Sequence, residues 1–110
     1  MYYLKLGEIL MGKIMTIGWY PPHKAKELVK VYSSKEKAAY PDYLKKIQHL
    51  STLKEDGQWK TYALYEFPDE KYSEAMKALM KRYALYTTVE GYRFVAEFVM
   101  DAQDSIKLLF

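Results

Sequence analysis

Hydrophobic and polar positions alternate along this chain with two different periods, and the order in which those periods occur predicts the fold. Over residues 13–20 the run Ile14, Met15, Ile17 and Trp19 is apolar on both faces and stops at Pro21-Pro22, as a buried strand does when its ladder meets residues without an N–H. The same prolines suit a helix start, because Pro22 in a first turn gives up no needed donor. Ala25, Leu28, Val29 and Tyr32 then recur at helical spacing, with Lys24, Lys26, Glu27 and Lys30 elsewhere. The resulting amphipathic helix weakens at Ser33-Ser34 and must be interrupted by Tyr40-Pro41-Asp42. Residues 43–54 and 59–67 flank Asp56-Gly57, a hairpin signal, since Gly57 accepts a positive φ. In the second of these strands Trp59, Thr61, Ala63, Tyr65 and Phe67 alternate with Lys60, Tyr62, Leu64 and Glu66. The first, KIQHLSTL, is less regular, and a helical start over residues 42–47 is its alternative. Asp69 is a candidate N-cap for a second helix, whose stripe Tyr72, Ala75, Met76, Leu79, Met80 and Tyr83 reads as core, methionines included. After Gly91 a last strand sets Tyr92, Phe94, Ala96, Phe98 and Met100 against Arg93, Val95, Glu97 and Val99. Asp101 can cap a short terminal helix carrying Ile106, Leu108 and Leu109.

Strand, helix, strand, strand, helix, strand is the split βαβ order. Right-handed crossovers then place two helices on one face of a four-stranded antiparallel sheet, an α+β fold of βαββαβ type with a short C-terminal helix. On "KIMTIGWYPPHKAKELV", the hairpin "EDGQWKTYALYEF", and "DEKYSEAMKALMKRY" before "GYRFVAEFVM", residues 13–100 resemble the ferredoxin-like fold and, within it, the dimeric α/β-barrel superfamily. That resemblance implies two sheets paired face to face. It also implies a range of activities, from cofactor-independent monooxygenases and heme enzymes through lactone isomerases to ligand-sensing domains, among which fold alone does not choose. No stretch matches a catalytic motif of the superfamily residue by residue, so no catalytic residue is carried over. The expected organisation is a single domain over residues 13–110, preceded by an extension over residues 1–12 that is a strand, a dimer arm or a disordered segment.

Composition changes this picture at three points. Twelve tyrosines among 110 residues supply more ring surface than one small core encloses, and tyrosine suits places where one end of a ring is apolar and the other polar, so an interface is expected. The absence of cysteine excludes disulfides, thiolate metal sites and a cysteine nucleophile, and fits a reducing compartment, here the cytoplasm. The net charge of +3 is spread among acidic residues without forming a basic block, and no apolar run is long enough for a membrane helix.

Candidate chemistry centres on the sheet face that the helices leave uncovered. Alternation brings His49, Tyr62, Glu66, Arg93 and Glu97 toward that face, as an ion-pair ladder in a dimer interface or as a ligand site in which Arg93 binds an acidic group and a desolvated carboxylate acts as base. His23, at the strand-to-helix turn, reads as an exposed first-turn residue, or as a donor to an anion. The two histidines fit no metal spacing, and only they would offer an axial ligand to a heme; no cofactor or metal is expected. Tyr62, Leu64, Val95 and Val99 would leave an apolar patch in water, which predicts a homodimer or an assembly of dimers with a small molecule held between sheet faces. A purely structural homo-oligomer without a pocket is the alternative. An RNA-binding module is a third reading, weakened because the aromatic pattern expected around Trp59, Tyr62 and Tyr65 is broken by Lys60 and Thr61.

Overall fold

The computed structural model describes residues 10–34 and 39–109. Its elements run β1 (Met11–Tyr20), α1 (Ala25–Tyr32), β2 (Lys45–Leu53), β3 (Trp59–Pro68), α2 (Tyr72–Ala84), β4 (Arg93–Val99) and α3 (Ala102–Leu109). All neighbouring strands are antiparallel in the spatial order β2-β3-β1-β4. The fold is therefore ferredoxin-like, α+β, as the periods predict. No helix among the described residues is long and apolar enough to cross a membrane.

Local chemistry sets the boundaries. Pro21 ends β1, and Pro22–Lys24 forms one 3-10 turn in which the Lys24 N–H donates to the Pro21 carbonyl at 3.0 Å, a turn that needs no donor from Pro22. The hairpin between β2 and β3 closes when the Gly57 N–H donates to Lys54 O (2.9 Å) and the Lys54 N–H to Gln58 O (2.8 Å). Gly57 sits at φ +85°, where a side chain would strain the backbone. The Asp56 carboxylate accepts from the Gln58 N–H and holds an ion pair with Lys54, so its pKa falls.

Several boundaries differ from the sequence reading. β1 starts at Met11, two residues before the expected domain boundary; residues 1–9 of the expected extension lie outside the described residues. The stretch 42–47 is not a helix start: a turn at Asp42-Tyr43, in which the Leu44 N–H donates to Pro41 O at 3.0 Å, leads into β2. Asp69 does not cap α2 with its side chain, because it is the first residue of a 3-10 turn (Asp69–Lys71) that precedes the helix. Asp101 puts its carboxylate on Lys13 Nζ (2.9 Å), raising the lysine's pKa, while its carbonyl accepts the first bonds of α3.

Ile14, Tyr65, Phe67, Ala75 and Leu79 are fully enclosed between sheet and helices. α2 makes this seal: small Ala75 lets the helix approach and Leu79 fills the contact, the two together with Tyr83 forming its buried face. Met76 is partly buried beside them, but Met80 is 46 % exposed, on the shoulder of the stripe and not in the core. α1 behaves otherwise. None of its residues is fully buried; Leu28 and Val31 touch the core, while Val29 stays 59 % exposed.

Candidate functional site

The space that α1 leaves is a cavity of about 270 Å³ between the helices and the β2–β3 side of the sheet. Seven of the twelve tyrosines line it: Tyr20, Tyr32, Tyr40, Tyr65, Tyr83, Tyr86 and Tyr92. Leu28 and Val29 from α1, Ser51 and His49 from β2, Thr61 from β3, and the cations Lys46 and Arg82 complete the wall.

Each side chain arrives by the register of its element. On β3, Tyr65 follows Ala63 on the helix side, paired with Ile14 and Lys46 of the neighbouring strands. At the end of α2, Tyr86 lies four residues beyond Arg82 and three beyond Tyr83, which brings all three to the cavity. Tyr92 reaches the site because it lies over Gly18: a Cβ there would stand 2.6 Å from the phenol oxygen. Tyr40 comes from the segment before β2 and meets Tyr65 edge to face, with ring centres 5.4 Å apart.

The phenols form a hydrogen-bonded chain. Tyr40 and Tyr65 share a proton contact of 3.0 Å, Tyr65 and Tyr83 one of 2.9 Å, and Thr16 Oγ1 lies 2.8 Å from the Tyr83 hydroxyl and 3.4 Å from the carbonyl of Ala63. No buried side-chain nitrogen or oxygen among the described residues lacks a partner. Burial disfavours the phenolate, pushing Tyr40 up to about 12 and raising Tyr20, Tyr65, Tyr83, Tyr86 and Tyr92 in the same direction. These groups are neutral donors and acceptors at physiological pH. The cations rest on ring faces: the Arg82 guanidinium lies 4.0 Å from the Tyr40 centroid, and Lys46 Nζ lies 5.5 Å from Tyr32 and 5.9 Å from Tyr65. His49 sits 6.5 Å from the Tyr32 ring, and partial burial, then the Lys46 charge, lowers its pKa.

The residues expected to share the uncovered face separate into two groups. Tyr62, Glu66, Arg93 and Glu97 do lie there, with Met15, Ile17, Leu64, Val95 and Val99. His49 does not. A register shift between Lys46 and Gln48 inserts one residue into β2, so His49 pairs with Ala63 and turns to the helix side, while Leu50 pairs with Tyr62. The expected ladder is absent too: among the described residues no ion pair joins Arg93 to Glu97, which lies about 13 Å along the same strand, or to Glu66, which β1 separates from β4. Arg93 instead stacks on Trp19 at 4.5 Å, with Lys60 5.5 Å from the same ring and 5.0 Å from Tyr62. A shallow hollow of about 190 Å³ lies on this face between Met15, Gln48, Leu50, Tyr62 and Leu64. His23 is exposed in the 3-10 turn, and no group of three or more His, Asp or Glu converges among the described residues.

Sequence reasoning missed Tyr40, Tyr65, Tyr83, Lys46 and Arg82 as site residues. The available signal was the tyrosine count, which it assigned to an interface.

Neither a scan against protein-family models nor a search of curated proteins returns a match. Among solved structures, the chain is similar to the ACT domain from the GTP pyrophosphokinase of Chlorobium tepidum, at 14 % identity over 84 % of this chain and 88 % of that one, with a TM-score of 0.40. It is also similar to a DUF3240 family protein from Shewanella baltica, at 10 % identity over 81 % of this chain and 91 % of that one, with a TM-score of 0.33.

Proposed function

We propose that this protein is a small-molecule-binding domain whose site is the tyrosine-lined cavity under α1. The observation that carries this reading is the cavity's wall: seven phenols, two cations and an imidazole around about 270 Å³. A mostly aromatic wall with a few convergent polar groups is the usual composition of a ligand site. Protein carrying ¹³C-labelled tyrosine rings tests it in a screen of small organic compounds. The expected result is that hits shift the ring signals of Tyr32, Tyr40, Tyr86 and Tyr92; hits that move only Tyr62, or no hits, would contradict it.

We further infer that two copies pair through the uncovered sheet face, making a dimer of the α/β-barrel kind. Ile17 lies between Tyr62 and Val95, and Met15 beside Leu64, so apolar side chains run across the sheet. Charge selects how a second copy sits. Arg93 and Glu97 lie on the same face of the edge strand β4 with Val95 midway. A two-fold axis lying across the strands near Val95 sets Arg93 against the partner subunit's Glu97; an axis along the strands would set like ends together. Sedimentation of Arg93→Glu and Glu97→Arg checks this. Each single change should weaken a dimer and the pair should restore it. A wild-type monomer would overturn pairing itself, and a dimer indifferent to the exchange would overturn the axis. A strand of RNA on Trp19 and Tyr62 is the competing occupant, and binding of single-stranded RNA by that monomer would show it.

A further inference from the structure

The structure assigns a ligand class to the tyrosine-lined cavity: we infer that it takes a small planar organic anion, an aromatic ring held among the phenols with its carboxylate turned toward Arg82 and Lys46. This rests on the binding reading above and goes further in fixing shape and charge.

Size comes first. A cavity of 150 Å³ holds benzene, so about 270 Å³ has room for one ring with a carboxylate, or a small fused pair. Shape follows from the walls, since flat phenol faces and edges suit a flat partner. Charge follows from the lining among the described residues, which includes Lys46, Arg82 and His49 and neither Asp nor Glu. Both cations already rest on tyrosine rings and hold other contacts. A guanidinium nevertheless carries five N–H donors and an ammonium three, so each can serve a carboxylate beside the partners it has.

The phenol chain supplies a third donor. Thr16 has one hydroxyl proton and two acceptors in reach, Tyr83 at 2.8 Å and the Ala63 carbonyl at 3.4 Å. When that proton goes to Tyr83, Tyr83 donates to Tyr65, Tyr65 to Tyr40, and the Tyr40 proton is left for the cavity. When it goes to Ala63 the whole chain reverses and Tyr40 is spent on Tyr65. An anion beside Arg82 and Tyr40 selects the first direction. Inorganic phosphate meets the charge but not the aromatic walls, which would strip its water without replacing most of it.

Titration of the intact chain with sodium benzoate, benzamide, cyclohexanecarboxylate and inorganic phosphate, followed by the tyrosine ring signals, tests the assignment. Benzoate should bind about tenfold or more tightly than neutral benzamide, as one or two charge-assisted bonds provide. It should also exceed cyclohexanecarboxylate and phosphate. Arg82→Gln should remove most of the preference for benzoate over benzamide, Arg82→Lys should keep part of it, and Tyr40→Phe should weaken benzoate several-fold. Benzamide binding as well as benzoate, or a preference that Arg82→Gln leaves intact in a folded variant, would overturn the anion class while cavity binding stands. Failure of all four probes and of neutral aromatics to move these rings would overturn both.

Discussion

α1 and α2 occupy equivalent places in the two halves of this fold and are drawn on the same amphipathic pattern, yet only one of them closes onto the sheet. α2 presents Ala75 and Leu79, a small residue and a branched one, and buries both completely. α1 presents Leu28, Val29 and Tyr32 over strands that offer Tyr65, Lys46 and His49 in return, and none of its residues is buried. A period of 3.6 sets which way a helix faces, and the volume and polarity of what it meets decide how near it comes. Bulky phenols that must stay hydrogen-bonded hold α1 off, and the cavity is the result.

The largest expected effect separates the two helices directly. Leu79→Ala should cost about 2–5 kcal/mol of unfolding free energy, because it hollows a sealed contact. Val29→Ala should stay within about 0.5 kcal/mol, as for exposed positions generally. Urea unfolding measures both, and comparable losses would erase the contrast.

Next comes the phenol chain. Tyr65→Phe leaves Tyr40 and Tyr83 each short of a partner and should cost about 1–3 kcal/mol, whereas Tyr62→Phe on the other face should cost almost nothing. Thermal unfolding of the pair decides it.

Alkaline titration probes the same groups more gently. Burial raises these phenols above their unfolded pKa of about 10, with Tyr40 at about 12, so the folded state favours the neutral form. Their contribution is complete below about pH 10 and is lost as pH rises from there through the folded values. Absorbance at 295 nm should therefore keep climbing beyond pH 11, together with loss of near-ultraviolet dichroism. All phenols ionising in one step near pH 10, with the fold intact, would contradict this.

His49 should give the smallest effect. Its pKa is lowered, first by burial and then by Lys46, so the folded state favours neutral imidazole, and its contribution is full above about 6.5 and fades as pH falls through the folded value. An anion held by Lys46, Arg82 and the phenols favours imidazolium, so benzoate affinity should rise modestly between pH 7.5 and 5.5 by calorimetry.

The sheet and its order were legible because alternation along β3 and β4 is clean and Asp56-Gly57 marks the turn between β2 and β3. The face of Arg93, Glu97, Tyr62 and Glu66 followed from the same alternation. His49 was misplaced because one extra residue in β2 reverses every side chain after it, and nothing in KIQHLSTL marks where that residue enters. The cavity was not legible, since Tyr40, Tyr65 and Tyr83 lie on three elements and their hydroxyls meet only once the chain is folded. The pattern of α1 recorded its apolar stripe but not its distance from the sheet.

If α1 is the loosely closed side of the molecule and a ligand closes it, amide hydrogen exchange followed by mass spectrometry, with and without saturating benzoate, must register both. In the free protein α1 should exchange much faster than α2 and the centre of β3, whose hydrogen bonds lie under the sealed core. With benzoate, α1 and the neighbouring part of β2 should gain protection while β4 stays unchanged. Equal protection of α1 and α2 in the free protein, or protection gained on β4 and not on α1, would contradict it.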